Sequence, residues 1–178
     1  MTGTSFVHIL RYAIAAIAFV GMAGIVPPAR AQQPAVDSRA AMERLKTLVG
    51  SWESTQKDGS GPPGRFTYTL TGRGSVLIED GGGGGMMSAY HLNNDELVMT
   101  HFCGAGNQPR MRIKSADARH IYFEMYDITN LANPQAYYTN SLDVVFLGPD
   151  RVDLVYGGTT AGRASAQTFQ LTRRKASF

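Results

Sequence analysis

The sequence predicts an all-β fold: an up-and-down antiparallel β-barrel of about ten strands preceded by one short N-terminal helix. Three observations carry this. A short helical pattern runs into the tripeptide Gly50-Ser51-Trp52, the hydrophobic period then drops to two, and turn-forming residues recur between the alternating segments at hairpin spacing.

The first element is a leader. Residues 12–26 form a 15-residue apolar run behind Arg11, followed by Pro27, Pro28 and the small-residue site Ala29-Arg30-Ala31. That order is the pattern of a secretory signal peptide over residues 1–31, with the processed chain expected to begin at Gln32. The run is shorter than the roughly 20 apolar residues that cross a bilayer, so no stable membrane insertion is expected after cleavage. A flexible lead-in is expected over 32–36 and a single barrel domain over 37–178.

Asp37 or Ser38 can cap the helix that follows, in which Met42, Leu45, Leu48 and Val49 recur at helical spacing and Gly50 supplies the stop. Beyond Trp52, Phe66, Tyr68 and Leu70 share one strand face, with Thr67, Thr69 and Thr71 on the other. Strands are expected at 52–57, 66–71, 75–80, 86–93, 96–103, 110–115, 120–127, 136–146, 151–156 and 164–173. Turns are expected at 58–64, 72–74, 81–85, 93–95, 127–130, 148–150 and 157–162, where Gly, Asn, Asp and Pro cluster. Unbroken hairpins favour a meander over a Greek key, and closing the sheet removes its exposed edges.

A helix, then Gly-x-Trp, then a β-meander resembles the opening of a lipocalin or related calycin, in which that Trp packs across the closed end of the barrel. A longer resemblance lies in residues 87–111, MSAYHLNNDELVMTHFCGAGNQPRM, and in 123–134, with Asp127, Thr129, Asn130 and Pro134. These two blocks are similar to those of a family of uncharacterised exported bacterial lipocalin-like proteins. The resemblance implies the barrel fold and export, and it brings no established chemistry. The chain departs from that pattern near 137–140, where relatives are expected to carry His, and at Tyr156, where they are expected to carry Trp.

Charge and cysteine content narrow the function classes. Of 17 Lys and Arg residues, Arg11 and Arg30 fall in the leader, which holds no acid, leaving 15 bases against 14 acids. A nearly neutral body without a dense basic stripe excludes nucleic acid as the natural partner. No pattern sets the number of subunits. Cys103 is the sole cysteine, so the barrel holds by packing and not by an internal disulfide.

The expected ligand-binding residues are Tyr68, Tyr90, Met99, His101, Arg110 and Phe123, with Phe66, Met125 and Phe146 as further apolar lining, and the expected ligand is a small apolar or amphipathic molecule held in an interior cavity. No catalytic set, no metal set and no cofactor is assigned. The alternative is a calycin-fold enzyme, or a metal- or haem-binding barrel, using His101 and Cys103, which alternation places on one strand face. Metal would need His91 or His120 to converge there, and haem is disfavoured because no His lies near the C-terminal strands. If the chain reverses at Asn94-Asp95, Ser88 sits opposite His101, whereas a one-residue slip inverts the faces. The Gly-rich loop after Cys103 reads as a tight reversal whose Asn107 and Gln108 amides bond backbone groups near a barrel mouth. Arg110 then reaches either a ligand carboxylate or a neighbouring acid. Glu79 and Asp80 are adjacent on a strand and point to opposite faces, so they do not form a carboxylate pair.

Overall fold

The computed structural model describes residues 36–81 and 85–175; residues 1–35, which hold the expected leader and most of the expected lead-in, and residues 82–84 and 176–178 lie outside that description. Helix α1 spans Ser38–Lys46, with the Asp37 carboxylate accepting from the Ala40 N–H at its start. It ends earlier than the Gly50 stop predicts. Thr47 caps it, and Gly50 instead opens the first strand.

Ten strands follow: β1 (Gly50–Gln56), β2 (Gly64–Thr71), β3 (Val76–Gly81), β4 (Met86–Asn93), β5 (Glu96–Phe102), β6 (Gln108–Ala116), β7 (His120–Thr129), β8 (Tyr138–Gly148), β9 (Arg151–Thr160) and β10 (Arg163–Arg173). Each pairs antiparallel with its sequence neighbour, and β1 also pairs with β10, with Trp52 opposite Arg173, so the barrel is closed. The expected all-β class, strand number and meander order are all observed.

Two expected turns are strand instead. Residues 127–129 complete β7, and β9 continues through Gly157 and Gly158. The glycines at 157 and 158 serve close approach rather than reversal: a Cβ on Gly158 would lie 2.7 Å from the Tyr137 ring. The chain reverses at Ala161-Gly162, both at positive φ.

Inward positions alternate along much of the wall, most regularly in β1, β3, β6 and β9, and fill the barrel. Trp52, Tyr68, Leu77, Tyr90, Met99, Met111, Phe123, Leu142 and Leu154 are all buried in one cluster with Met42, Leu45 and Leu48 of the helical segment. Val36 packs against the same cluster, whereas Leu70 is exposed at the end of its stripe.

The helical segment plugs one end. Trp52 donates from its indole N–H to the Leu48 carbonyl at 2.8 Å, and the Arg173 guanidinium lies 4.2 Å from the Trp52 ring. Arg173 also donates to the carbonyls of Thr47 and Val49, which follow the helix. Arg39 pairs with Asp95 and Arg44 reaches the Asp117 carbonyl, fastening α1 to two hairpins at that end. The opposite end, where β5 turns into β6 and β9 into β10, carries no helix among the described residues.

Candidate functional site

The β2 to β5 registers bring four polar residues into one row across adjacent strands. Tyr68 sits opposite Glu79, Glu79 opposite Ser88, and Ser88 opposite His101. Alternation turns all four inward, and each is at most 3% exposed. The Asn94-Asp95 turn thus sets the register that places Ser88 against His101.

Glu79 is the centre of this row. Its Oε2 accepts from the hydroxyls of Tyr68 at 2.7 Å and Tyr90 at 2.8 Å, and its Oε1 accepts from Tyr156 at 2.5 Å and Ser88 at 3.3 Å. Tyr156 comes from β9, across the barrel. A buried carboxylate persists only when its charge is met by donors, and four hydroxyls meet it here. Burial, and then the negative charge on Glu79, hold the phenols of Tyr68, Tyr90 and Tyr156 well above the usual tyrosine range. All three therefore stay protonated donors at neutral pH.

The row ends at His101, whose Nδ1 lies 3.0 Å from Ser88 Oγ and whose ring lies 5.6 Å from that of Tyr156. Burial lowers its imidazole to about 4, so the ring is neutral at pH 7. Its second nitrogen, Nε2, makes no hydrogen bond among the described residues. Because the unfolded chain binds a proton between about pH 6.5 and 4 that the folded chain refuses, stability falls as pH drops through that window, by at most about 3 kcal/mol. Chemical denaturation at pH 7 and pH 4.5 is expected to show the loss in the native chain and little of it in His101→Phe. An equal loss in both would place its origin elsewhere.

His101, Glu79 and Tyr156 form the floor of a pocket at the unplugged end. Its rim is Phe66, Gly81, Met86, Cys103, Tyr137, Thr139, Gln167 and Phe169, and the free volume is about 40 Å³. Gly81 is required beneath the rim, since a Cβ there would lie 2.5 Å from the Phe66 ring. Phe66 and Phe169 meet with ring centres 5.4 Å apart, and Phe169 meets Tyr156 at 6.1 Å. The volume holds one water or a few ligand atoms, well below the roughly 300 to 1,000 Å³ of a site that encloses a whole small molecule.

Of the six expected ligand-binding residues, His101 lines the pocket. Tyr68 and Tyr90 stand behind it as donors to Glu79, and Met99 and Phe123 fill the core, with Phe123 edge-on to Tyr90 at 5.8 Å. The expected interior hollow is thus occupied by side chains, because large aromatic and Met residues take most inward positions. Met125 and Phe146 pack partly buried against that core. Arg110 lies on the outer face in an ion pair with Asp127, the neighbouring-acid arrangement.

Cys103 lines the mouth beside His101, but the other two described histidines are elsewhere: His91 bonds the Leu92 carbonyl and His120 pairs with Asp143. Among the described residues no three His, Cys, Asp or Glu side chains are grouped to hold a metal ion. In the loop after Cys103, Asn107 donates to the Tyr137 carbonyl at 2.7 Å and Gln108 to the Gly106 carbonyl at 3.0 Å, as the expected reversal requires. Glu124, outside, pairs with Lys114. A wider surface groove of about 750 Å³ runs past Arg44, Arg119 and Arg173 at the plugged end, with no buried polar cluster beneath it.

Sequence reasoning placed Ser88 opposite His101 and Glu79 on the face opposite Asp80, and noted Tyr156, but assigned none of the three to the site. A signal was present for Glu79: in the hairpin 66–81 an acid occupies an inward slot flanked by Leu77 and Gly81 and faces Tyr68. Tyr156 gave none, because its partner is 77 residues away.

Fold and pocket together define the class: a closed ten-stranded antiparallel β-barrel that is plugged at one end and can hold a ligand at the other. No family model matches the sequence, and neither does any curated protein. Among solved structures the chain is similar to the redesigned beta barrel b11L5F_LGL, at 14% identity over 73% of this chain and 94% of that one, with a TM-score of 0.33. It is also similar to the redesigned beta barrel mFAP1 bound to DFHBI, at 14% identity over 72% and 96%, with a TM-score of 0.31.

Proposed function

We propose that this protein is an exported lipocalin-like binding protein that takes a small amphipathic molecule by its polar end. The observation that carries the reading is the apolar rim of Phe66, Met86, Tyr137 and Phe169 set over a buried polar floor at the unplugged end. The free volume admits a head group, so the body of the ligand rests on the rim aromatics, where burying apolar surface supplies most of the affinity. The leader pattern of residues 1–31 supports export, and the two family-like blocks at 87–111 and 123–134 support the lipocalin-like assignment.

One experiment tests both parts. Native mass spectrometry of the full chain expressed in a Gram-negative host and released from its periplasm is expected to show a polypeptide beginning at Gln32 that carries a non-covalent adduct. The adduct is expected to vanish in Phe169→Ser and to persist in Leu147→Ser, which changes an exposed residue at the plugged end. An uncleaved leader sinks export, and an adduct indifferent to Phe169 sinks the site.

Proton-transfer catalysis is a second reading, favoured by the chain of contacts from Glu79 through Ser88 to His101. It is the weaker one, since an imidazole lowered to about 4 is a poor base at neutral pH.

A further inference from the structure

The protons of the buried row can be assigned one by one, and the assignment decides what the floor offers a ligand. Tyr68, Tyr90 and Tyr156 each have one hydroxyl proton, and all three are directed to Glu79. Ser88 also has one, with three claimants: Glu79 Oε1 at 3.3 Å, His101 Nδ1 at 3.0 Å and the Tyr156 oxygen. A bond to an ionised carboxylate is the strongest of the three. Ser88 therefore donates to Glu79 and accepts from a proton on His101 Nδ1. That tautomer leaves Nε2 as a bare acceptor on a residue that lines the pocket. The Tyr156 oxygen, its proton committed to Glu79, adds a second acceptor to the same floor.

We propose that the site selects ligands whose polar end is a neutral hydroxyl, an alcohol or phenol, which donates to His101 Nε2. This rests on the mouth-binding reading above and sharpens it to a chemical class. A carboxylate brings no proton for Nε2 and faces the charge of Glu79, with only acceptors between them. An ether of the same shape brings no proton either. An ammonium can donate to the same acceptors, but it must shed the hydration of a full charge to enter the mouth, and the two oxygens of Glu79 are already occupied by four hydroxyl protons.

The test uses probes that share one apolar body, so that rim contacts cancel. 2-Naphthol, 2-methoxynaphthalene, 2-naphthoate and 2-naphthylmethylammonium are titrated against the protein at pH 7 by calorimetry, with naphthol expected to bind about tenfold tighter than each of the others. In His101→Phe the naphthol affinity is expected to fall to that of the ether while the ether is little changed. Equal binding of naphthol and ether, or tighter binding of the carboxylate or the ammonium, overturns the hydroxyl rule and leaves the mouth-binding reading standing. Binding of none of the four overturns both. The ratio among probes on the unaltered protein decides the matter even if the variant fails to fold.

Discussion

Replacing Glu79 by Leu is expected to destabilise the barrel by about 4 kcal/mol, seen as a shift of the denaturation midpoint with the urea slope unchanged. The variant leaves the hydroxyls of Tyr68, Tyr90, Tyr156 and Ser88 buried with their acceptor gone. Each orphaned donor costs about 1 to 3 kcal/mol, a sum that by itself would exceed the stability of many domains. Two effects reduce it: the carboxylate no longer has to be desolvated, and water in the mouth pocket can solvate Tyr156, the tyrosine on its floor. The net figure matches what removing one member of a buried charged network usually costs. Combining Glu79→Leu with Tyr68→Phe, Tyr90→Phe and Tyr156→Phe is expected to recover most of the loss, because Ser88 is then the one donor of the four that remains, and it can turn its proton to His101 Nδ1. A single variant as stable as the native chain would mean that the hydroxyls do not depend on the carboxylate. A combined variant no better than the single one would point to packing instead.

Trp52→Ala is expected to cost a similar amount, about 4 kcal/mol, and to lower the melting temperature by roughly 15 °C. Trp52 is fully buried, so truncation opens a cavity that the surrounding strands fill only in part. It also removes the indole bond to the Leu48 carbonyl and the face on which Arg173 lies. These contacts join β1, the helical segment and β10, so the loss falls on the seam where the barrel closes. Trp52→Phe keeps much of the ring volume and is expected to cost less than half as much. A melting temperature within a few degrees of native for Trp52→Ala would remove this residue from the account of how the end is plugged.

The two regions differ in how far they can be read from local sequence. Strands β1 to β10 were legible because apolar and polar residues alternate within each segment, and burial of one face needs no knowledge of what it faces. The same local reading mistook Gly157 and Gly158 for a turn, since a glycine that admits a neighbour's side chain looks like one that reverses the chain. It also ended α1 at Gly50, where the helical spacing of Leu48 and Val49 hid a change to extended backbone.

What the sequence determined by itself is the barrel: a period of two, turn residues at hairpin spacing, and the inward face of each strand. Which inward residues meet was decided only by closure. The separation of Glu79 from Asp80 is a local fact of strand geometry, and Glu79 is indeed inside and Asp80 outside. Its role depends on Tyr68 and Ser88 arriving in register from the neighbouring strands and on Tyr156 reaching it from β9. Closure likewise turned the expected hollow into packed core with a small polar-floored mouth, because ten strands of inward aromatics, Leu and Met fill the circle they enclose. Register and packing volume are properties of the assembled wall, and no single segment carries them.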